Sequence, residues 1–130
     1  MELGIGTTLT ADFDDAVART RAALQEQGFG VLTEIDLQTT LKEKIGADLD
    51  RYLILGACNP GLANRAVGAD PQIGLLLPCN VVVRSEGSSA VVVEAMNPQL
   101  MVEVTGNPEL AAVAEEAAGL LRAAVGSLTS

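Results

Sequence analysis

The chain has no histidine among its 130 residues. Histidine is the side chain that most often acts as a general base near neutral pH, and it completes Ser–His pairs, Cys–His pairs and many zinc sites. Its absence excludes those mechanisms and those metal sites. Any chemistry must rest on the two cysteines, the carboxylates, Tyr52, Lys42 and Lys44, or on the backbone.

Aromatic and basic side chains are scarce. There is no tryptophan, and the aromatic residues are only Phe13, Phe29 and Tyr52, so the chain lacks a stacking platform for single-stranded nucleic acid. Seventeen acidic residues against eight basic ones give a net charge of −9. Because such a surface repels phosphate backbones, we expect no nucleic-acid partner.

Long apolar runs and a leader-like N-terminus are also missing. No stretch approaches the roughly 18 apolar residues of a transmembrane helix, and residues 1–5 show neither a basic segment nor a long apolar one. We therefore expect no membrane partner and a cytoplasmic location. Apolar residues nevertheless make up 48% of the chain. This surplus predicts burial at a subunit interface, and so a homodimer.

One domain over residues 1–130 is predicted, because the length suits a single core and no linker, repeat or low-complexity tract is visible. Long helices are predicted near both ends with hairpin-connected strands between them. This order indicates an α+β fold, with one antiparallel or mixed sheet and helices packed on one face.

The valine runs 81–83 and 91–93 do not alternate with polar residues. Both faces of this hairpin therefore need cover, from helices on one side and from a second subunit on the other. Residues 73–77 are predicted to form a further strand, with Pro78 marking a sheet edge or a bulge.

Two short apolar runs each reach a cluster of proline, cysteine and asparagine. In the first cluster, asparagine is a favoured N-cap and proline suits the first helical position. The second cluster leads into the first valine run. The candidate ligand-binding residues are the members of these clusters: Cys58, Asn59, Pro60, Pro78, Cys79 and Asn80.

Cys58 has two interpretations. At the end of a strand and beside a helix N-terminus, its thiolate is stabilised by backbone N–H groups and the helix dipole. Such a thiol suits sulfur transfer, redox sensing, or Cu(I) binding together with Cys79. Alternatively, both cysteines are small apolar core residues. They lack the C-x-x-C spacing of redox and zinc motifs, so a joint site depends on the fold, and a disulfide is not expected in the cytoplasm.

Glu34 and Asp36 alternate onto one strand face, as a paired-carboxylate site requires. No acid–base partner is identifiable for them, so we interpret them as a solvated edge. Arg51, Arg65 and Arg84 are isolated in the sequence, and one of them is a candidate partner for these carboxylates or for an anionic ligand. No catalytic residue and no cofactor is assigned.

Three segments, residues 28–36, 54–60 and 74–81, resemble the prokaryotic family known as domain of unknown function 302. The resemblance covers nearly the whole chain in order and at matching spacing. It implies an α+β fold similar to the TATA-binding-protein-like topology with inserted helices, and it implies a homodimer. One departure is Asn97-Pro98, where an Asp-Pro pair is expected, so the carboxylate of that pattern is missing.

The leading interpretation is a non-enzymatic, homodimeric cytoplasmic module that binds a small ligand or a partner at the two proline–cysteine–asparagine clusters. The alternative is a sulfur-transfer, soft-metal or redox-sensing protein in which Cys58 is the acting group. Both interpretations use the same location and differ in the part played by the thiol.

Overall fold

A five-stranded sheet is the centre of the fold in the computed structural model, which describes residues 1–129. In spatial order the strands are β1 (Gly4–Thr10), β5 (Ala90–Met96), β4 (Cys79–Glu86), β3 (Tyr52–Cys58) and β2 (Gly30–Asp36). Every neighbouring pair is antiparallel. The predicted α+β fold is therefore confirmed, with a sheet that is purely antiparallel.

The described residues form five α-helices: α1 (Phe13–Glu26), α2 (Leu37–Ile45), α3 (Pro60–Ala69), α4 (Leu100–Thr105) and α5 (Ala111–Ser127). Two 3-10 turns, Pro71–Leu76 and Pro108–Leu110, precede β4 and α5. Helices α1 and α5 pack on each other and on one face of the sheet. None of the helices described is both long enough and apolar enough to span a bilayer.

The valine hairpin distinguishes the two faces of the sheet. Val81, Val83 and Val93 are 0% exposed in the core beneath α1 and α5. The alternating residues Val82 and Val92 point to the opposite side, which neither of these two helices covers. We call this side the open face. By strand register its side chains include Thr8, Thr33, Ile35, Tyr52, Ile54, Asn80, Val82, Arg84, Glu86, Val92, Glu94 and Met96.

A second, smaller core lies among α3, α4, α5 and the 3-10 turns. It is built on Leu62, Ile73, Met101, Leu110 and Val113, each of which is buried. This cluster holds α3 and the turn that follows it against α5. It therefore also holds the segment that connects the end of β3 to the start of β4.

Asparagine or aspartate followed by proline starts a helical turn at four places. The pairs begin at Asn59, Asp70, Asn97 and Asn107, and each side-chain oxygen accepts a bond of 2.9–3.3 Å from a backbone N–H two or three residues later. The bond satisfies a donor that has no partner within the first turn, and proline suits that turn because it has no N–H to satisfy. The start at Asn59 is the one that the sequence analysis above predicted.

The strand predicted over residues 73–77 is wrong, because this segment lies mostly in the 3-10 turn Pro71–Leu76. Its leucines have the composition of a strand, but the Asp70 cap and Pro71 begin a helical turn there. Pro78 also marks neither an edge nor a bulge. It follows a cis peptide bond and directly precedes the central strand β4, where a missing N–H removes no bond from the sheet.

The buried hydrogen bonds of Asn97 give a prediction about the stability of the fold. It is 3% exposed, its Nδ2 donates to the Glu2 carbonyl at 2.9 Å, and its Oδ1 accepts from the Gln99 N–H at 3.1 Å. Asn97→Asp keeps the acceptor but replaces the donor with a carboxylate facing a carbonyl oxygen. We expect the free energy of unfolding in urea at pH 7 to fall by about 1–3 kcal/mol, the cost of an unsatisfied buried group.

The matched control is Asn64→Asp on the exposed surface of α3, which should change the free energy of unfolding by less than about 0.5 kcal/mol. If Asn97→Asp is as stable as the unmodified protein, the hydrogen bond from the Asn97 side chain to the Glu2 carbonyl does not contribute to the stability of the fold.

Candidate functional site

The two proline–cysteine–asparagine clusters meet at one end of the sheet. Strands β3 and β4 are neighbours, and Ala57 lies directly opposite Cys79. Cys58 and Cys79 both border a cavity of about 30 Å³, together with Asn59 and Pro78. Four of the six candidate residues therefore surround one space, although they come from segments about 20 residues apart in the chain.

The other two candidates point elsewhere. Pro60 is exposed at the start of α3. Asn80 is exposed on the open face, because it alternates with the buried Cys79 and Val81. Neither borders the cavity.

The remaining cavity walls are apolar. Phe29 comes from the start of β2, Leu62 and Ala66 from α3, Met101 from α4, and Val113 and Ala117 from α5. The volume exceeds the roughly 10–15 Å³ that a cavity needs in order to hold one water molecule. A water in this space needs two or more polar partners, which these walls do not supply. The cavity therefore suits a single small apolar group.

Asn59 serves the structure of the site rather than facing an open ligand position. Its Oδ1 caps α3 by accepting from the Leu62 N–H at 3.3 Å, and its Nδ2 donates to the Gln27 carbonyl at 3.5 Å. A Cβ on Gly28 would lie 3.0 Å from that Nδ2, and the φ of Gly28 is +83°. Glycine is thus required at this turn, which closes against Asn59.

Gly56 fixes the position of Pro78. A Cβ at Gly56 would lie 2.1 Å from Thr33 Oγ1 and 2.8 Å from Pro78 Cγ. The proline ring and the threonine therefore approach the bare backbone of β3 more closely than any other residue would allow. Gly56 was not among the predicted site residues. The signal for it was a glycine inside an apolar strand, which marks close approach of another chain segment.

The two thiols differ in environment. Both are free, with Cys58 half-buried and Cys79 buried. Burial raises the pKa of the Cys79 thiol from 9.0 to about 11, and the charge of nearby Cys58 adds to the rise. Cys79 is therefore protonated at neutral pH, a poor nucleophile and a poor metal ligand. No group of three or more His, Cys, Asp or Glu side chains within residues 1–129 is placed to hold a metal ion.

The candidate carboxylates and arginines away from the cavity have structural partners. Glu34 accepts from Arg21 at 2.7 Å, and Asp36 caps α2 by accepting from the Thr39 N–H at 3.0 Å. The three arginines pair with other acids: Arg51 with Asp14, Arg65 with Glu116, and Arg84 with Glu86 and Glu94. None of the three pairs with Glu34 or Asp36, and the interpretation of a paired-carboxylate site is not needed.

Reactivity of the two thiols gives one prediction. Cys58 is half-buried and borders the cavity, whereas Cys79 is 7% exposed and protonated at neutral pH. We expect iodoacetamide at pH 7.5 to modify Cys58 first, with Cys79 reacting only after urea unfolding. Peptide mass mapping over time measures the order. Modification of Cys79 before Cys58 in the folded protein would contradict the assigned burial.

The raised pKa of Cys79 gives a second prediction, on stability. Below pH 9 the thiol is protonated in both folded and unfolded chains, so it contributes no pH dependence. Between pH 9 and pH 11 the unfolded chain loses this proton while the folded chain keeps it, so the free energy of unfolding falls as pH rises. From pH 8 to pH 10 this loss is about 1.4 kcal/mol.

Cys79→Ala lacks this titration but keeps every other ionisable group. We therefore expect the unmodified protein to lose about 1.4 kcal/mol more than Cys79→Ala between pH 8 and pH 10, measured by urea unfolding. If the free energies of unfolding of the two proteins change in parallel with pH, the pKa of Cys79 is the same in the folded and unfolded chains, which would contradict the prediction.

Comparison with known proteins identifies the family to which this fold belongs. Residues 5–128 match the family described as domain of unknown function DUF302. The crystal structure of the uncharacterized conserved protein DUF302 from Bacillus stearothermophilus is similar, with a TM-score of 0.89 and 26% sequence identity, over 97% of this chain and 98% of that chain. No curated protein matches the chain. The resemblance seen in the sequence is confirmed, and the chain belongs to the DUF302 family.

Proposed function

We propose that this protein is a homodimeric binding module rather than an enzyme, and that its ligand or partner places a small apolar group in the cavity between Cys58 and Cys79. The observation that carries the proposal is the cavity itself. It is apolar, it lies where the two proline–cysteine–asparagine clusters meet, and it is bordered by four of the six candidate residues.

The size of the cavity limits what enters it. Protein interiors contain few voids larger than a water molecule, and an apolar void binds apolar groups rather than water. Five of the lining residues are half-buried, and we infer that they form its mouth: Cys58, Asn59, Ala63, Leu77 and Pro78. A volume of about 30 Å³ accepts the end of an aliphatic chain or side chain. The rest of the ligand then lies outside, against the start of α3.

The chemistry of the walls favours binding over thiol catalysis. No charged residue lines the cavity, and the chain has no histidine to act as a base beside Cys58. Cys79 is protonated at neutral pH, which weakens the case for a two-thiolate Cu(I) site. Sulfur transfer or redox sensing by Cys58 is the second candidate function, supported by the partial exposure of that thiol.

The proposed setting is the cytoplasm, because two unpaired cysteines suit a reducing compartment. The proposed homodimer is supported by the apolar residues that the sheet leaves on its open face. We expect no nucleic-acid partner, since the charge of −9 opposes phosphate contact.

Native mass spectrometry of protein purified without chelators tests the binding proposal. We expect an added mass on the unmodified protein, and its loss in Ala66→Val, which fills the cavity from α3. The matched control is Ala23→Val, at a core alanine outside the cavity. Each substitution adds side-chain volume to the core, where overpacking costs about 1–3 kcal/mol, but the control should keep the added mass.

Cys58→Ser separates the two candidate functions. A binding module keeps its added mass in this variant, because serine preserves the shape of the mouth. An added mass that equals sulfur or copper and disappears with Cys58→Ser would instead establish the thiol function. Absence of any added mass on the unmodified protein, or its survival in Ala66→Val, would contradict binding in the cavity.

A further inference from the structure

We propose that the free edge of β1 binds an extended segment of a partner protein, which joins the sheet as an added strand and carries lysine or arginine at alternate positions. Strands β1 and β2 are the two edges of the sheet. An edge strand exposes N–H and C=O groups that pair readily with another chain, and proteins usually prevent this with a charge, a proline or a bulge. The two edges differ in whether they carry such protection.

The β2 edge is protected, whereas the β1 edge is not. Strand β2 shifts register against β3 between Val31 and Thr33, and it carries the acidic residues Glu34 and Asp36. Strand β1 has the sequence GIGTTLT, without a charge or a proline, and its register with β5 is unbroken over seven residues. Within residues 1–129 no strand pairs with its outer side. Strand β1 is therefore the edge that accepts another strand.

One hydrogen bond shows which backbone groups of β1 point out of the sheet. The Asn97 N–H donates to the Leu3 carbonyl at 2.9 Å, so residue 3 pairs toward β5. Antiparallel pairing alternates along a strand, so the odd-numbered residues of β1 also pair toward β5. The N–H and C=O groups of Gly4, Gly6 and Thr8 then point outward, and no other group described in residues 1–129 bonds to them. They form a row of alternating donors and acceptors for an extended chain.

The two glycines of this row let a carboxylate of the neighbouring strand reach the edge. A Cβ at Gly6 would lie 2.6 Å from Glu94 Cγ, and one at Gly4 would lie 3.0 Å from Glu94 Oε2. The Glu94 side chain therefore begins on β5 and lies across the bare backbone of β1. The Cβ of a residue opposite Gly4 on an added strand lies about 5 Å from the Cβ position of Gly4, so a lysine or arginine there reaches the Glu94 carboxylate.

The surface beside this edge is acidic. A groove of about 370 Å³ lies on the open-face side of β1, and its charged lining residues are Glu2, Arg84, Glu86 and Glu94, which sum to −2. Arg84 lies 3.1 Å from Glu86 and 3.5 Å from Glu94, so one guanidinium serves two carboxylates. The Glu2 carboxylate has no cationic partner within residues 1–129. Charge complementarity therefore favours a basic segment and opposes the equally acidic edge of a second copy.

Strand addition at this edge is independent of the cavity. The cavity lies beside β3 and β4, and β5 separates β4 from β1. In this mode of recognition the main-chain bonds give affinity and alternate side chains give specificity. Residues between the basic positions of the added strand face the helix side, where Ile5 and Arg122 border a second groove. We expect these intervening residues to be uncharged.

Titration of isotope-labelled protein with two capped peptides as long as β1, followed by NMR, tests the proposal. The probe alternates lysine with threonine, and the matched control alternates glutamate with threonine. We expect the lysine peptide to bind at least about 10-fold more tightly, because its charge complements the edge. It should slow the hydrogen exchange of the Gly4, Gly6 and Thr8 amides, whereas the amides that pair with β5 are protected before it is added.

Two variants separate the backbone contribution from the charge contribution. Thr8→Pro removes an outward N–H but no bond to β5, so the sheet tolerates it, and we expect it to weaken binding of the lysine peptide at least about fivefold. The matched control Thr8→Val keeps the N–H at this exposed position and should change binding by less than about twofold. Glu94→Gln should weaken binding by about two- to fivefold and reduce its dependence on salt.

The remaining outcomes overturn the proposal. These are no binding of the lysine peptide at millimolar concentration, equal binding of the two peptides, and spectral changes that map away from β1. Equal losses in Thr8→Pro and Thr8→Val would show that the side chain, not the outward N–H, makes the contact. Outward amides that are already protected, and lose protection on dilution, would place a second copy at this edge instead. If Thr8→Pro fails to fold by circular dichroism, Glu94→Gln and the two peptides still decide.

Discussion

The antiparallel pairing of β3 with β4 is the constraint on which the candidate site depends. It sets Ala57 opposite Cys79 and so brings two distant proline–cysteine–asparagine clusters to one end of the sheet. The Asn59 cap then turns the chain into α3, and the close approach of Pro78 to Gly56 fixes the start of β4. The cavity between the cysteines lies where the chain leaves β3 at Cys58 and enters β4 at Cys79.

The second constraint is that α1 and α5 cover only one side of the sheet. The buried valines satisfy that side, but Val82 and its neighbours face the other way. The proposed homodimer covers this side and leaves the cavity accessible, because the cavity lies at the end of the sheet beside α3. The proposed binding and the proposed self-association then use different surfaces of the chain.

Much of the fold follows from local signals, whereas the site follows from contacts distant in sequence. Asn59 is a predictable cap, and hairpin-connected strands between two long helices predict the α+β fold. Residues 73–77 were mispredicted because their leucines match a strand while the Asp70-Pro71 pair begins a turn. The meeting of Cys58 with Cys79 and the raised pKa of Cys79 depend on strand order and burial, which no spacing in the sequence encodes.

A crystal structure of the unmodified protein, purified without chelators, tests the central claim most directly, namely that the cavity between Cys58 and Cys79 is a binding site. The account predicts electron density for an apolar group in van der Waals contact with Leu62 and Met101, entering past Leu77. An empty cavity in a protein shown by native mass spectrometry to carry its ligand, with the density bound elsewhere, would contradict it.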